Sequence, residues 1–388
     1  MRVLPSLEDL SGPPVTVLHV VEAVNAGVGR HVADLIRHSA GVRHEVAAGT
    51  ERSGWDAYED PLAAFADAGA VVHRVEMRRE PHHPANGAAL LKLRRLIATQ
   101  RPAVVHGHSS IGGALARLAA WRSPVVRIYS PHGVHPHRVA NEAERLLGRR
   151  TDHLVAVSES ERDLAAALGF APFERIHVIH NGVELFPAAG ARDVRQELGI
   201  PADARLVASV GRLEHQKAPE LFVDAAERLA RVAPDTHFLL VGHGPLGHRV
   251  EQLVDASGLG PRFHLVPYVR EIGTVMSQFD VFVLTSRYEG LPYVVLEAMQ
   301  ACVPVVATDV VGTRDAVVHG VTGVLVPPGE PAAIAEAVRW MLDAPQTAAS
   351  FGRAGAARAA DRFDVKSMAA ALDDLYVRST AGLASTRR

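Results

Sequence analysis

Two carboxylates, Glu289 and Glu297, stand with seven residues between them in the run from Tyr288 to Met299. A carboxylate accepts hydrogen bonds from paired hydroxyls, and a helix N-terminus beside it favours a phosphate. A sugar joined to a nucleoside diphosphate meets both conditions. Arg212 and Lys217 point the same way: a planar bidentate fork and a compact point charge are a usual pair for a diphosphate. His132, in Ser130-Pro131-His132-Gly133, ends another apolar run, where an imidazole of an α/β protein can face a ligand. Each has a plainer reading beside it. Surface Glu, Arg and Lys are common, and any one of 21 histidines can be incidental.

Alternation of short apolar runs with helical segments places these residues. The run 280–286 reads as a buried strand, and Pro292 suits the first position of the following helix. Glu289 then lies in the loop at the carboxyl end of that strand, and Glu297 about two turns down the helix. In an open parallel sheet such loops face the ligand crevice. Val15–Val21 reads as the first strand, followed by the turn holding Gly27 and Gly29, whose open backbone could approach a ligand. Further strand-like runs at 104–106, 125–129, 154–157 and 176–179 complete a first α/β half. The alternation breaks at Asn181–Pro187 and restarts at 205–210, with strands expected at 237–241, 263–267, 303–308 and 323–326. A helix is expected at Glu271–Gln278. The domains are expected to be 1–185 and 186–365, with a C-terminal helix at 366–388 that packs back on the first.

Gly242-His243-Gly244-Pro245-Leu246-Gly247 spells a dinucleotide fingerprint between strand and helix. That reading needs an acidic residue at the end of the next strand, where Val266-Pro267-Tyr268 stands. The motif is therefore read as a structural turn with crevice-facing backbone.

Composition narrows the class. With 388 residues, 48% hydrophobic and 22% charged, the chain can bury two cores. A net charge of −2 argues against a general nucleic-acid binder, and 5% aromatics against a base-stacking platform. The lone cysteine, Cys302, excludes an internal disulfide and a thiolate metal cluster, and is expected to be small and buried. No D-x-D pair is found; no metal site and no cofactor are expected. No apolar run spans a bilayer, and the N-terminal residues 1–15 do not read as a signal peptide, so the protein is expected to be cytoplasmic. Arg78, Arg79, Lys92, Arg94 and Arg95 form a local basic cluster. It could dock peripherally on the inner face of an anionic membrane, but an ordinary helix with its cationic face in water is the preferred reading.

Together these motifs resemble one family. Ser286–Pro292 with Glu297-Ala298-Met299 looks like the E-x7-E signature of the retaining glycosyltransferases of family 4. Gly211-Arg212-Leu213 with Lys217, Val241–Pro245, Asn181-Gly182-Val183, Gly312-Thr313 and the turn at Gly27–Gly29 match in order and spacing. The resemblance covers nearly the whole chain and is strongest over 207–328. It implies two Rossmann-like domains facing each other across a cleft, the GT-B arrangement. It also implies transfer of a sugar from a nucleoside-diphosphate donor, a UDP-sugar above all. The acceptor would be a hydroxyl of a lipid-linked saccharide or of a small molecule such as an aminocyclitol.

By that similarity Arg212 and Lys217 would hold the diphosphate, and Glu297 the ribose hydroxyls. Glu289, with the N–H groups of Gly290 and Leu291, would meet the transferred sugar. Backbone around Val266 and Tyr268 would hold the base. Gly29 would approach the sugar and diphosphate, and His132 a sugar hydroxyl. The chain departs from the usual pattern at Cys302-Val303, where Cys-Gly is common, and at Tyr293, often Gly, which could narrow the donor site. A sugar-nucleotide epimerase of the same fold is the nearest alternative, and a dinucleotide-dependent oxidoreductase a more distant one.

Overall fold

A computed structural model describes residues 14–24, 27–49, 62–134, 138–184, 193–267 and 272–385. The first sheet has seven parallel strands: β1 (Val15–Val21), β2 (Val42–Ala48), β3 (Val71–Arg74), β4 (Val104–His108), β5 (Val126–Ser130), β6 (His153–Ala156) and β7 (Ile176–Val178). Their spatial order is β3-β2-β1-β4-β5-β6-β7. The second sheet has six: β8 (Arg205–Val210), β9 (Thr236–Val241), β10 (Phe263–Val266), β11 (Val281–Leu284), β12 (Val305–Thr308) and β13 (Gly323–Val326), in the order β10-β9-β8-β11-β12-β13. Every ladder is parallel. The expected class is thus observed: two α/β domains of Rossmann type. In both, the chain order reverses beside the first strand, so a crevice opens at the carboxyl ends of β1/β4 and β8/β11.

Strands buried on both faces must be nearly all apolar, and β8 and β11 are. One face of the second sheet packs Leu206, Ala208, Phe282 and Leu284 against Val295, Leu296 and Met299 of the helix Tyr293–Gln300. The other packs Val207, Phe238 and Val283 against Phe222, Ile334 and Met341. The chain's last helix, Val365–Ser385, returns to the first sheet. Its Met368, Leu372 and Tyr376 are buried with Val17, Leu35, Val104 and Ile128. Ser39 Oγ and the Ala40 N–H donate to the Asp373 carboxylate at 2.6 and 2.8 Å and fix that docking.

Three local expectations are corrected. The segment expected as a helix over 271–278 holds two short 3₁₀ turns, Ile272–Thr274 and Met276–Gln278, too short to bury an apolar face of its own. Pro292 is the residue before the helix, with extended ψ of 115°, so Glu297 stands little more than one turn in. Cys302 is exposed and left-handed at φ 59°, because the chain turns sharply between helix and β12.

Candidate active site

A cleft of about 750 Å³ runs between the two sheets, lined from both halves. From the second it takes Arg212, Lys217, Gly290, Leu291, Glu289 and Glu297; from the first, Gly29 and His132. Residues far apart in the chain therefore meet around one space. Of the base-site backbone, Pro267 lines the cleft, whereas Val266 packs on the core and its carbonyl accepts the Gly242 N–H at 2.9 Å. Tyr268 lies outside the described residues.

Lys217 Nζ donates to Glu289 Oε1 at 2.5 Å, and Ser286 Oγ donates to the same oxygen at 2.6 Å. Glu289 is 5% exposed, so its charge would be costly without that ammonium. Gln216 Nε2 donates to the Tyr288 carbonyl at 3.0 Å and ties the two loops together beside this pair. Arg212 pairs with Glu214 at 3.2 Å; burial lowers its pKa, with Glu214 opposing. Glu297 is engaged across the cleft by Arg30, whose guanidinium also bonds Asp34 at 3.3 Å and lies 4.9 Å from the centre of the Tyr293 ring. Burial raises the Glu297 pKa, and Arg30 works against that shift.

His132 has φ 57° and Gly133 φ 116°, a sharp left-handed corner after β5. The corner is held from behind. Glu161 accepts the Gly133 N–H at 2.6 Å and the Val157 N–H at 2.7 Å. Burial raises the Glu161 pKa to about 7, and the two backbone donors oppose it. Ser158 caps the helix Glu159–Ala167 and donates to the Gly290 carbonyl at 2.9 Å, joining the two halves. A Cβ on Gly290 would stand 2.8 Å from Gly133 N, so only glycine permits this approach. Asn181 Nδ2 adds a bond to the Leu291 carbonyl at 2.8 Å.

Sequence reasoning missed Arg30, Glu161 and Ser158, and placed Asn181 in a family motif without giving it a role. Ser158 with Glu161 carried a findable signal, the capping spacing before a helix. Arg30 carried none, since its partner is 267 residues away. Gly242 has a packing role: a Cβ there would stand 1.9 Å from the Gly211 carbonyl oxygen. The basic cluster is dispersed. Arg79 turns to Glu22 at 3.2 Å and lines the cleft, Lys92 bonds the Arg74 carbonyl, Arg78 is half-buried, and Arg94 and Arg95 are exposed. No helix among the described residues is long and apolar enough to cross a membrane.

Comparison with known proteins agrees with this architecture. A model of "Glycosyl transferases group 1" matches residues 191–358, and one of "Glycosyltransferase Family 4" matches 25–185. The chain is 30% identical over 287 residues to an alpha-D-kanosaminyltransferase of Streptomyces kanamyceticus, covering 68% of this chain and 74% of that one. It is 29% identical over 390 residues to a D-inositol 3-phosphate glycosyltransferase of Thermobispora bispora, covering 91% and 90%. Among solved structures, Anabaena HepE in complex with UDP and glucose superposes with a TM-score of 0.80 at 19% identity, covering 94% of this chain and 100% of that one. Sucrose-phosphate synthase of Thermosynechococcus elongatus gives 0.80 at 22%, covering 95% and 100%. These likenesses to solved structures show the GT-B fold. The chain belongs to the family 4 glycosyltransferases, enzymes that move a sugar from a nucleotide-sugar donor.

Proposed function

We propose that the enzyme is a retaining hexosyltransferase that moves a sugar from a UDP-sugar to a hydroxyl of a small, soluble polyol such as a cyclitol. The observation that carries the donor assignment is the Lys217–Glu289 pair, 2.5 Å long, with Arg212 beside it on the cleft wall. Breaking the anomeric C–O bond leaves positive charge on the sugar and added negative charge on the departing diphosphate. Fixed cations at Lys217 and Arg212 stabilise the second. Glu289 meets the first, and its one oxygen already takes both Lys217 and Ser286. A carboxylate so compensated is a poor nucleophile. Its role is to orient sugar hydroxyls, while attack comes from the face that the phosphate leaves, with the phosphate taking the acceptor's proton.

Glu297 holds the ribose, with Arg30 in its place until the nucleotide arrives. His132 and the Gly290 and Leu291 N–H groups complete the sugar site. UDP is favoured because HepE was solved with UDP-glucose as well as with UDP and glucose. The small acceptor is favoured by Arg79, which lines the cleft and pairs with Glu22 there, and by the relative named for an inositol phosphate. A lipid-linked acceptor would instead use the exposed Arg94 and Arg95 face. Product analysis by NMR with UDP-, GDP- and ADP-sugars and a cyclitol panel tests this. An α-linked cyclitol glycoside from an α-linked UDP-sugar is expected. An inverted product, or preference for a GDP or ADP donor, would overturn the reading.

A further inference from the structure

Behind the cleft the first domain buries a file of imidazoles on one face of its sheet. His44 Nδ1 bonds His19 Nε2 at 2.9 Å, His19 Nδ1 bonds His108 Nε2 at 3.1 Å, and His108 Nδ1 bonds His132 Nε2 at 3.0 Å. His31 closes on the last two from the helix Gly27–His38, its ring centre 4.7 Å from that of His132. One ring nitrogen from each of His31, His108 and His132 lies within 4.8 Å of the others.

The hydrogen bonds around His31 decide which nitrogen it offers. Asn181 Nδ2 donates to the Leu291 carbonyl, so its Oδ1 faces His31 Nδ1 at 3.1 Å and must be the acceptor there. His31 therefore carries its proton on Nδ1. Its Nε2 is a bare lone pair, buried and without a hydrogen-bond partner among the described residues. This is how a metal-binding histidine is presented: one nitrogen held by an acceptor behind, the other free in front.

We propose that His31, His108 and His132 form a binding site for one borderline divalent metal ion, such as Zn²⁺ or Co²⁺, and that its occupancy inhibits transfer. Imidazole suits these ions, and three nitrogens with one position left open towards the cleft is a usual arrangement. Metal–nitrogen bonds of about 2.1 Å need the ligand nitrogens roughly 3.4 Å apart, so the His108 Nδ1–His132 Nε2 pair at 3.0 Å has to open slightly while the third nitrogen, within 4.8 Å, closes on it. The rest of the file accommodates this. A neutral imidazole has a single N–H, so the ring-to-ring bonds along the file run in one direction. In one of the two directions His108 carries its proton on Nε2 and donates to His19, leaving Nδ1 for the metal. His132 then moves its own proton to Nδ1, and no net proton is released. His132 lines the cleft, so the ion has an entry path.

The inhibitory half rests on the donor-side reading of His132, and the binding half does not. The test is a Co²⁺ titration of chelator-treated full-length protein, read by its visible absorption. One Co²⁺ per chain with the intense bands of four-coordinate cobalt is expected. Affinity should fall at least about tenfold in both His31→Gln and His132→Gln, checked for folding by circular dichroism. It should not fall in His237→Gln, which removes a half-buried histidine paired with His264 in the second domain. Only weak octahedral bands, or uptake unchanged in both His31→Gln and His132→Gln, would overturn the site. Turnover should fall with bound Zn²⁺ and return with chelator. Binding without loss of turnover would keep the site and overturn the donor-side reading of His132.

Discussion

The two halves share one parallel construction but bury different chemistry. Among the described residues the first sheet and its covering helices bury His19, His31, His44, His106 and His108, and the second domain buries no histidine. In the second domain most buried polar groups lie at the carboxyl ends of its strands or in the helices that follow: Ser209, Thr285, Ser286, Glu289, Glu297, Thr308 and Thr313, with Thr236 and Thr322 at strand starts. Below that rim its two cores are apolar. Fixed charge thus sits at the rim of a rigid apolar body. The first domain carries polar contacts through its interior, and the last helix belongs to that network through the 2.7 Å bond of Tyr376 OH to His106. The difference teaches where pH and ligand should act: charge removal should disable the second half, and acidification should loosen the first.

The largest effect is expected from Lys217→Ala. It removes a diphosphate contact and leaves Glu289 buried beside Ser286 alone, and breaking a buried pair costs about 3–5 kcal/mol. Steady-state kinetics should show kcat/KM down by more than about a hundredfold; an unchanged value would erase the contrast between the halves.

Next is acid sensitivity of the metal-free protein. Burial lowers the His44 pKa to about 4. In the unfolded chain it titrates near the ordinary 6.5, so the unfolded state takes a proton first as pH falls. Stability is full above about 6.5 and is lost as pH drops towards 4, by on the order of 3 kcal/mol from this group. Denaturant melts across that window should show the slope, and His44→Gln should reduce it by this group's share, the other buried imidazoles keeping the rest.

Glu297→Gln should raise the donor KM about tenfold or more and change kcat less, because ribose contacts persist from ground state to transition state. It also takes the charge from Arg30's partner, and Arg30→Met should not restore affinity if ribose binding is the cause. A kcat-dominated loss would exchange the roles of the two carboxylates.

The smallest effect is Ser158→Ala, which loses a helix cap and the bond to Gly290 O, about 1–2 kcal/mol. Its thermal melt should shift by a few degrees, and a loss of donor affinity beyond that would show that the Ser158–Gly290 contact holds the cleft together.

Element types were legible because parallel strands buried on both faces must be apolar runs, and helices between them must show a 3.6-residue period. Glycine and proline punctuation gave the turns, although it misplaced the helix start at Pro292 by one residue. The charged set, Arg212, Lys217, Glu289 and Glu297, was legible from residue type and spacing. Its pairing was not. Nothing local says that Lys217 lies on Glu289, or that Arg30 reaches Glu297.

The alternation of apolar and helical segments by itself determined two Rossmann-type sheets, and local spacing determined which loops stand at the carboxyl ends of the strands. Only the tertiary structure decided which charges meet across the cleft and that four imidazoles on strands β1, β2 and β4 and the loop after β5 form one file. The reason is register. His19 pairs with His106 across one ladder and Val17 with His44 across the next, and side chains two apart share a face. The file therefore exists only once the strands are laid side by side.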